Sequence, residues 1–186
     1  MKKNTCALVL AAGFSKRYGS DKRFSGSEPL VIKTLKNIIN NFENIYLVHR
    51  NEDEKLIELF KNLSINLIKA PNNCIGLGTS IAAGFEYILK SQTKYESCAI
   101  FLADMPYIKD ETIKDLKQQQ NNNLIVRPMF EKIVGHPVIF GSDFFKELKS
   151  ISGEEGAGCV IKKNHKYLNI ISTQDSGVIE DIDYPE

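Results

Sequence analysis

Leu8-Val-Leu-Ala-Ala-Gly-Phe-Ser-Lys-Arg-Tyr-Gly-Ser-Asp-Lys22 joins an apolar run to a glycine-bounded turn and two spaced cations. The residues from Cys6 to Leu10 are continuously apolar, the pattern of a strand buried on both faces of a parallel sheet. Gly13 and Gly19 allow the segment after the strand to turn tightly and bring backbone N–H groups close to an anion. Arg17 and Lys22 then add charge that a glycine turn lacks. Strand, turn and cations together suit an oligophosphate such as a nucleoside triphosphate.

Outward from that stretch, strand-like and helix-like patterns alternate. Leu30–Asn40 reads as a helix and Ile45–His49 as a short strand. An amphipathic helix is expected over Glu52–Leu63 and a strand over Ile65–Ile68. A helical stripe follows from Leu77 to Leu89, then a buried strand over Cys98–Leu102 and a helix over Thr112–Gln119. Leu124–Val126 and Val138–Phe140 read as strands around a hairpin-like excursion. Helices are expected over Asp143–Lys149 and Gly156–Lys163, with a last strand over Tyr167–Ile171. This alternation predicts an α/β fold of three layers, a mostly parallel Rossmann-like sheet between helices. In such sheets ligands bind beyond the carboxyl ends of the strands, where Gly13–Lys22 and Asp104 fall.

The 186 residues fit one domain, spanning 1–186. A net charge of +1 gives no global field toward nucleic acid, so an anion site must be local. The apolar run behind Lys2 and Lys3 is too short for a signal peptide or a membrane span. Cys6, Cys74, Cys98 and Cys159 are far apart, with no C-x-x-C pair, and read as reduced, buried thiols. The protein is expected in the cytoplasm, without nucleic-acid or membrane partners.

Spacing removes several chemistries. Gly13 and Gly19 are too far apart for a Walker loop, and Ser20-Asp21 follows where Lys-Ser/Thr is required. Gly76-x-Gly78 begins a dinucleotide fingerprint, but Ile81 holds its third glycine position. The serine-elbow pattern fails at Ala82, two residues after Ser80. His49, His136 and His165 show no metal-ligand spacing.

Leu10-Ala-Ala-Gly-Phe-Ser-Lys-Arg-Tyr-Gly-Ser-Asp-Lys22 resembles the L-A-[AG]-G-x-S-x-R-x-G-x-x-K signature of the molybdenum-cofactor nucleotidyltransferases, the molybdenum cofactor cytidylyltransferase-like family. The likeness continues in order through Gly76–Gly84, Leu102-Ala-Asp-Met-Pro106, Gly135-His-Pro-Val-Ile-Phe140, Gly153-Glu-Glu-Gly-Ala157 and Asp181-Ile-Asp-Tyr-Pro-Glu186. The resemblance implies a nucleotidyltransferase fold and a reaction in which an acceptor phosphate attacks the α-phosphate of a nucleoside triphosphate and pyrophosphate leaves. It implies catalytic roles for Arg17, Lys22 and Asp104. Leu10, Ala11, Ala12 and Gly13 would bind the nucleotide through the backbone, with Arg17, Lys22, Gly78, Thr79, Ser80 and Asp104. Asp104 and Asp183 would hold Mg2+, with Mn2+ as an alternative. His136, Glu154 and Gly156 would contact the acceptor.

In that family a second alanine goes with cytidine transfer, so Leu10-Ala-Ala-Gly13 points to CTP. Molybdopterin is the implied acceptor and a molybdoenzyme the implied recipient of the product. Two other readings remain open: cytidylyl transfer to a sugar phosphate or methylerythritol phosphate, and a non-catalytic accessory protein that delivers cofactor to a molybdoenzyme. The chain also departs from the family pattern. The segment between Lys22 and Pro29 is shorter than the family's apolar, proline-containing stretch, and Arg23-Phe-Ser-Gly-Ser-Glu28 replaces it.

Overall fold

The computed structural model describes residues 4–13, 21–71 and 76–182. The strands are β1 (Thr5–Leu10), β2 (Ile45–His49), β3 (Ile65–Lys69), β4 (Ser97–Leu102), β5 (Ile125–Phe130), β6 (Ile133–Val134), β7 (Val138–Gly141) and β8 (Leu168–Ser172). The helices are α1 (Leu30–Asn41), α2 (Glu54–Phe60), α3 (Leu77–Lys90), α4 (Asp110–Gln119), α5 (Phe145–Lys149) and α6 (Gly158–Lys163). A 3-10 turn covers Lys22–Phe24.

All eight strands share one sheet in the order β3-β2-β1-β4-β7-β5-β6, with β8 paired to β5. β3, β2, β1 and β4 run parallel, in the register Leu10↔Val48 and Leu10↔Leu102. β7 runs antiparallel to both β4 and β5, while β5 and β8 are parallel. Every residue of β1 is buried, as its unbroken apolar character requires.

The alternation of side chains along β1 sorts the core into two layers. Cys6, Leu8 and Leu10 join Ile81, Phe85 and Ile88 of α3 and Phe145 and Leu148 of α5 on one face. Ala7, Val9 and Ala11 join α1, α2 and α4 through Val31, Leu35, Leu56, Phe60, Ile113 and Leu116 on the other. This is the expected three-layer α/β arrangement.

The elements differ from expectation in places that have physical causes. The α2 helix spans only Glu54–Phe60: the Asp53 carbonyl accepts its first N–H groups, and at the other end the Leu63 N–H donates to the Phe60 carbonyl at 3.0 Å in a tighter turn than the α-helix. The strand expected to stop at Val126 continues through Pro128 to Phe130. Proline is tolerated because β7 has already left that edge, and Pro128 pairs in register with Ile171 of β8. Glu131 and Lys132, at φ 45° and 72°, turn the chain from β5 into β6. Cys6 and Cys98 are buried free thiols as expected, whereas Cys159 is free but exposed on α6. Cys74 lies outside the described residues.

Candidate active site

From β1 the chain winds through α1 to β2 on one side, whereas α3 carries it from β3 back across to β4 on the other side of β1. The order therefore reverses between β1 and β4, and that crevice is where an open α/β sheet binds ligands. The Ala103 N–H donates to the Leu10 carbonyl at 3.2 Å, tying the two strand ends together. The predicted residues Leu10, Ala11, Ala12, Gly13 and Asp104 thus meet at one mouth.

Lys22, brought in by the 3-10 turn, places Nζ 2.6 Å from Asp104 Oδ2. The same ammonium donates to the Ile182 carbonyl at 3.0 Å, while the Ile182 N–H donates to the Asp104 carbonyl at 3.0 Å. Ile182 is therefore docked on the Lys22–Asp104 pair. Asp181 is exposed; Arg17 and Asp183 lie outside the described residues.

Asp104 Oδ1 is buried and accepts no hydrogen bond among the described residues. A buried carboxylate oxygen without a donor costs free energy, so this atom fits a cation. The described residues contain no cluster of three His, Cys, Asp or Glu side chains suited to a metal. Asp104 with phosphate oxygens and waters would make a site of the magnesium type.

His136 reaches the same region. Its N–H donates to the Val178 carbonyl at 2.8 Å, and its Nδ1 is buried without a partner among the described residues. Burial first, and then the Arg127 guanidinium, push the imidazole down to about 4, against a hydrogen bond to the Ile100 backbone and the Asp104 charge. The ring is therefore neutral near neutral pH. Arg127, which the sequence reading did not single out, donates from Nη2 to the Gly135 carbonyl at 3.1 Å. It therefore stands beside the peptide that leads into His136.

The Gly76–Ser80 and Gly153–Gly156 motifs meet, and their contact changes what two of their members can do. Gly76 takes φ 103°, and its Cα faces the Glu154 backbone. The Gly78 N–H donates to the Gly153 carbonyl at 3.0 Å, and a Cβ there would lie 2.3 Å from the Glu155 carbonyl oxygen. Gly78 is therefore a packing contact, not a free N–H for the nucleotide. Ser80 is buried, with its hydroxyl on the Gly76 carbonyl at 3.5 Å. Thr79 is half-buried and Glu154 exposed. Gly156 lies against Leu77.

The sequence reading also missed a buried ionic cluster beside the β1 end. Arg23 is 4% exposed. Its Nε donates to Asp21 Oδ1 at 2.8 Å, and its Nη2 donates to Asp21 Oδ2 at 2.6 Å and Asp53 Oδ1 at 3.0 Å. Nη1 donates to Asp53 Oδ2 and, at 2.9 Å, to the Ala11 carbonyl, so all five guanidinium donors have partners. Arg50, after β2, donates to Asp21 Oδ2 at 2.9 Å, the Ala12 carbonyl at 3.4 Å and the Gly13 carbonyl. Burial alone would raise the Asp21 carboxyl, but Arg23 and Arg50 outweigh it and hold it below the usual range. Burial would likewise depress Arg23, and its two carboxylate partners reverse that. The only hint in the sequence was the charged residue following Lys22.

The family model of the MobA-like NTP transferase domain matches residues 7–167. The purine catabolism protein PucB of Bacillus subtilis (strain 168) is 24% identical over 195 residues, covering 96% of this chain and 91% of that protein. Rv0371c of Mycobacterium tuberculosis H37Rv superposes with a TM-score of 0.80 at 18% identity, over 99% of this chain and 94% of that one. Its manganese complex gives 0.71 at 16% identity, over 93% and 89%. The 4-diphosphocytidyl-2C-methyl-D-erythritol synthase of Anaerococcus prevotii gives 0.70 at 14% identity, over 98% and 91%. The family match, spanning the sheet and its β1–β4 mouth, places this chain in the MobA-like NTP transferase domain family.

Proposed function

We propose that the protein transfers CMP from CTP to the phosphate of molybdopterin, releasing pyrophosphate. The observation that carries this reading is the meeting of Lys22 with Asp104 at the point where the strand order reverses. A phosphate monoester is mostly ionised near neutral pH, so the attacking oxygen requires no general base. The barrier is repulsion between anions, which positioned cations lower. Lys22 supplies a compact charge beside the reacting α-phosphate, and Arg17 grips the outer phosphates as a fork. The Ala11–Gly13 backbone and Thr79 hold the nucleotide.

Asp104 and Asp183 would hold Mg2+ or Mn2+, which neutralises phosphate charge when bound. The orphaned Asp104 Oδ1 and the manganese complex of the Mycobacterium tuberculosis protein support that assignment. Neutral His136, with Glu154 and Gly156, lines the acceptor side, and Arg127 joins them. The product would pass to a molybdoenzyme, and we place the enzyme in the cytoplasm; no helix among the described residues is long and apolar enough to cross a membrane.

A second reading keeps the chemistry and replaces the acceptor with methylerythritol phosphate, favoured by the structural likeness to the Anaerococcus prevotii synthase. A turnover matrix decides between them. The purified protein is incubated with Mg2+, each nucleoside triphosphate, and molybdopterin or methylerythritol phosphate, and pyrophosphate is measured. The expected result is release with CTP and molybdopterin. Release with methylerythritol phosphate alone selects the second reading, and no release with any pair rejects nucleotidyl transfer by this chain.

A further inference from the structure

The segment that departs from the family's apolar stretch begins with Arg23, and Arg23 points into the fold rather than into solvent. With Arg50 it takes up three consecutive backbone carbonyls, those of Ala11, Ala12 and Gly13. In a planar trans peptide the C=O of one residue and the N–H of the next point in opposite directions. Turning the Ala11 and Ala12 carbonyls toward the guanidinium groups therefore turns the Ala12 and Gly13 N–H groups the other way. Arg50 and Asp53 belong to the segment after β2, and the Ala11 N–H already donates toward β2, to the Val48 carbonyl at 2.9 Å. The opposite side faces β4, beyond whose end Asp104 lies.

We propose that Arg23 and Arg50, braced by Asp21 and Asp53, are positioning residues that hold the Ala11–Gly13 backbone with its N–H groups toward a bound triphosphate and aim Lys22 at Asp104. The inference takes its ligand class from the nucleotidyl-transfer reading. Lys22 and Arg23 are successive residues of one 3-10 turn, so anchoring Arg23 on the β2 side fixes the direction in which Lys22 leaves. Asp21 reinforces this by capping the turn, accepting from the Arg23 N–H at 3.2 Å.

The ionic cluster is not what stability alone would select. Well-packed apolar residues commonly replace a buried ion pair at little or no cost to folding. What an apolar side chain cannot do is bind the Ala11 carbonyl. Positioning and folding are therefore separable by experiment.

The probe is inorganic triphosphate with Mg2+, followed through the Ala12 and Gly13 backbone amide signals by NMR and through the dissociation constant by calorimetry; CTP is measured in parallel. The proteins are wild type, Arg50→Met, and the double variant Arg23→Met/Asp53→Leu, which removes both buried charges together. In the wild type both amides shift on saturation. Each variant is expected to bind triphosphate about tenfold more weakly, as loss of charge-assisted hydrogen bonds implies, with the amide shifts diminished and KM for CTP raised more than kcat is lowered. A folded double variant and an Arg50→Met protein that bind triphosphate with wild-type affinity and wild-type shifts would overturn the proposal. If the double variant does not fold, Arg50→Met decides alone, because its guanidinium reaches the Ala12 and Gly13 carbonyls directly. A wild-type protein that binds neither triphosphate nor CTP rejects the nucleotide reading itself, an outcome distinct from unchanged variants.

Discussion

Asp104 offers one oxygen to Lys22 at 2.6 Å and keeps the other buried, with no donor among the described residues. Replacing it with alanine removes the proposed cation site and leaves the Lys22 ammonium with the Ile182 carbonyl. Asp104→Ala is expected to lower Mg2+-dependent pyrophosphate release by about a hundredfold or more, the scale of losing a transition-state charge partner. Its circular dichroism and thermal midpoint should stay close to wild type, since Asp104 is at the mouth and not in the core. Unchanged turnover would remove Asp104 from the metal site. Both Lys22 and Asp104 were legible because each follows a buried strand and a recognisable motif. Arg23, Arg50 and Asp53 were not, because in a linear chain a charged residue among polar neighbours reads as a solvated one. Only the convergence of three loops reveals that this arginine is buried.

Among the elements, α3 shows how close packing fixes a motif that resemblance had assigned to ligand contact. Its Gly78 touches the backbone of the 152–155 loop. A methyl group at Gly78 would have to displace the Glu155 carbonyl, which cannot yield as a side chain does. Gly78→Ala is expected to cost about 1–3 kcal/mol, the range for overpacking, read from urea unfolding. It should also raise KM for the acceptor more than KM for CTP, because the displaced loop carries Glu154 and Gly156. The β5–β6 hairpin shows the converse problem for sequence reading. Pro128 argued against a continuing strand, and Glu131-Lys132 lacks the Asn-Gly or Asp-Gly signature of a two-residue turn with positive φ. Pairing with β8 overrode the first signal, and pairing of Met129 and Phe130 with β6 closed the turn despite the second.

Across the whole molecule, the pH dependence of folding reports the burial of His136. Its imidazole sits at about 4 in the fold against an ordinary value of 6.5. Between those values the unfolded chain takes up a proton that the folded chain refuses, so stability falls as pH drops from about 6.5 toward about 4. Above 6.5 this group contributes no slope. Urea titrations across that window should show a weaker decline for His136→Gln than for wild type; equal slopes would place the effect elsewhere. Below it, the depressed Asp21 carboxyl begins to lose its contribution as well, since a carboxylate held by Arg23 and Arg50 stabilises only while ionised.

The alternation of strands and helices, and the placement of Lys22 and Asp104 beyond the buried strands β1 and β4, could be read in the chain alone. These follow from local periodicity and from chain punctuation, which a short window contains. Tertiary structure alone decided that Lys22 reaches a carbonyl 160 residues away, that Gly78 packs rather than donates to ligand, and that Arg23 and Arg50 grip the β1 loop by its carbonyls. Those outcomes depend on which strands become neighbours when the sheet closes around β1, and burial gives a charged side chain its partners only then.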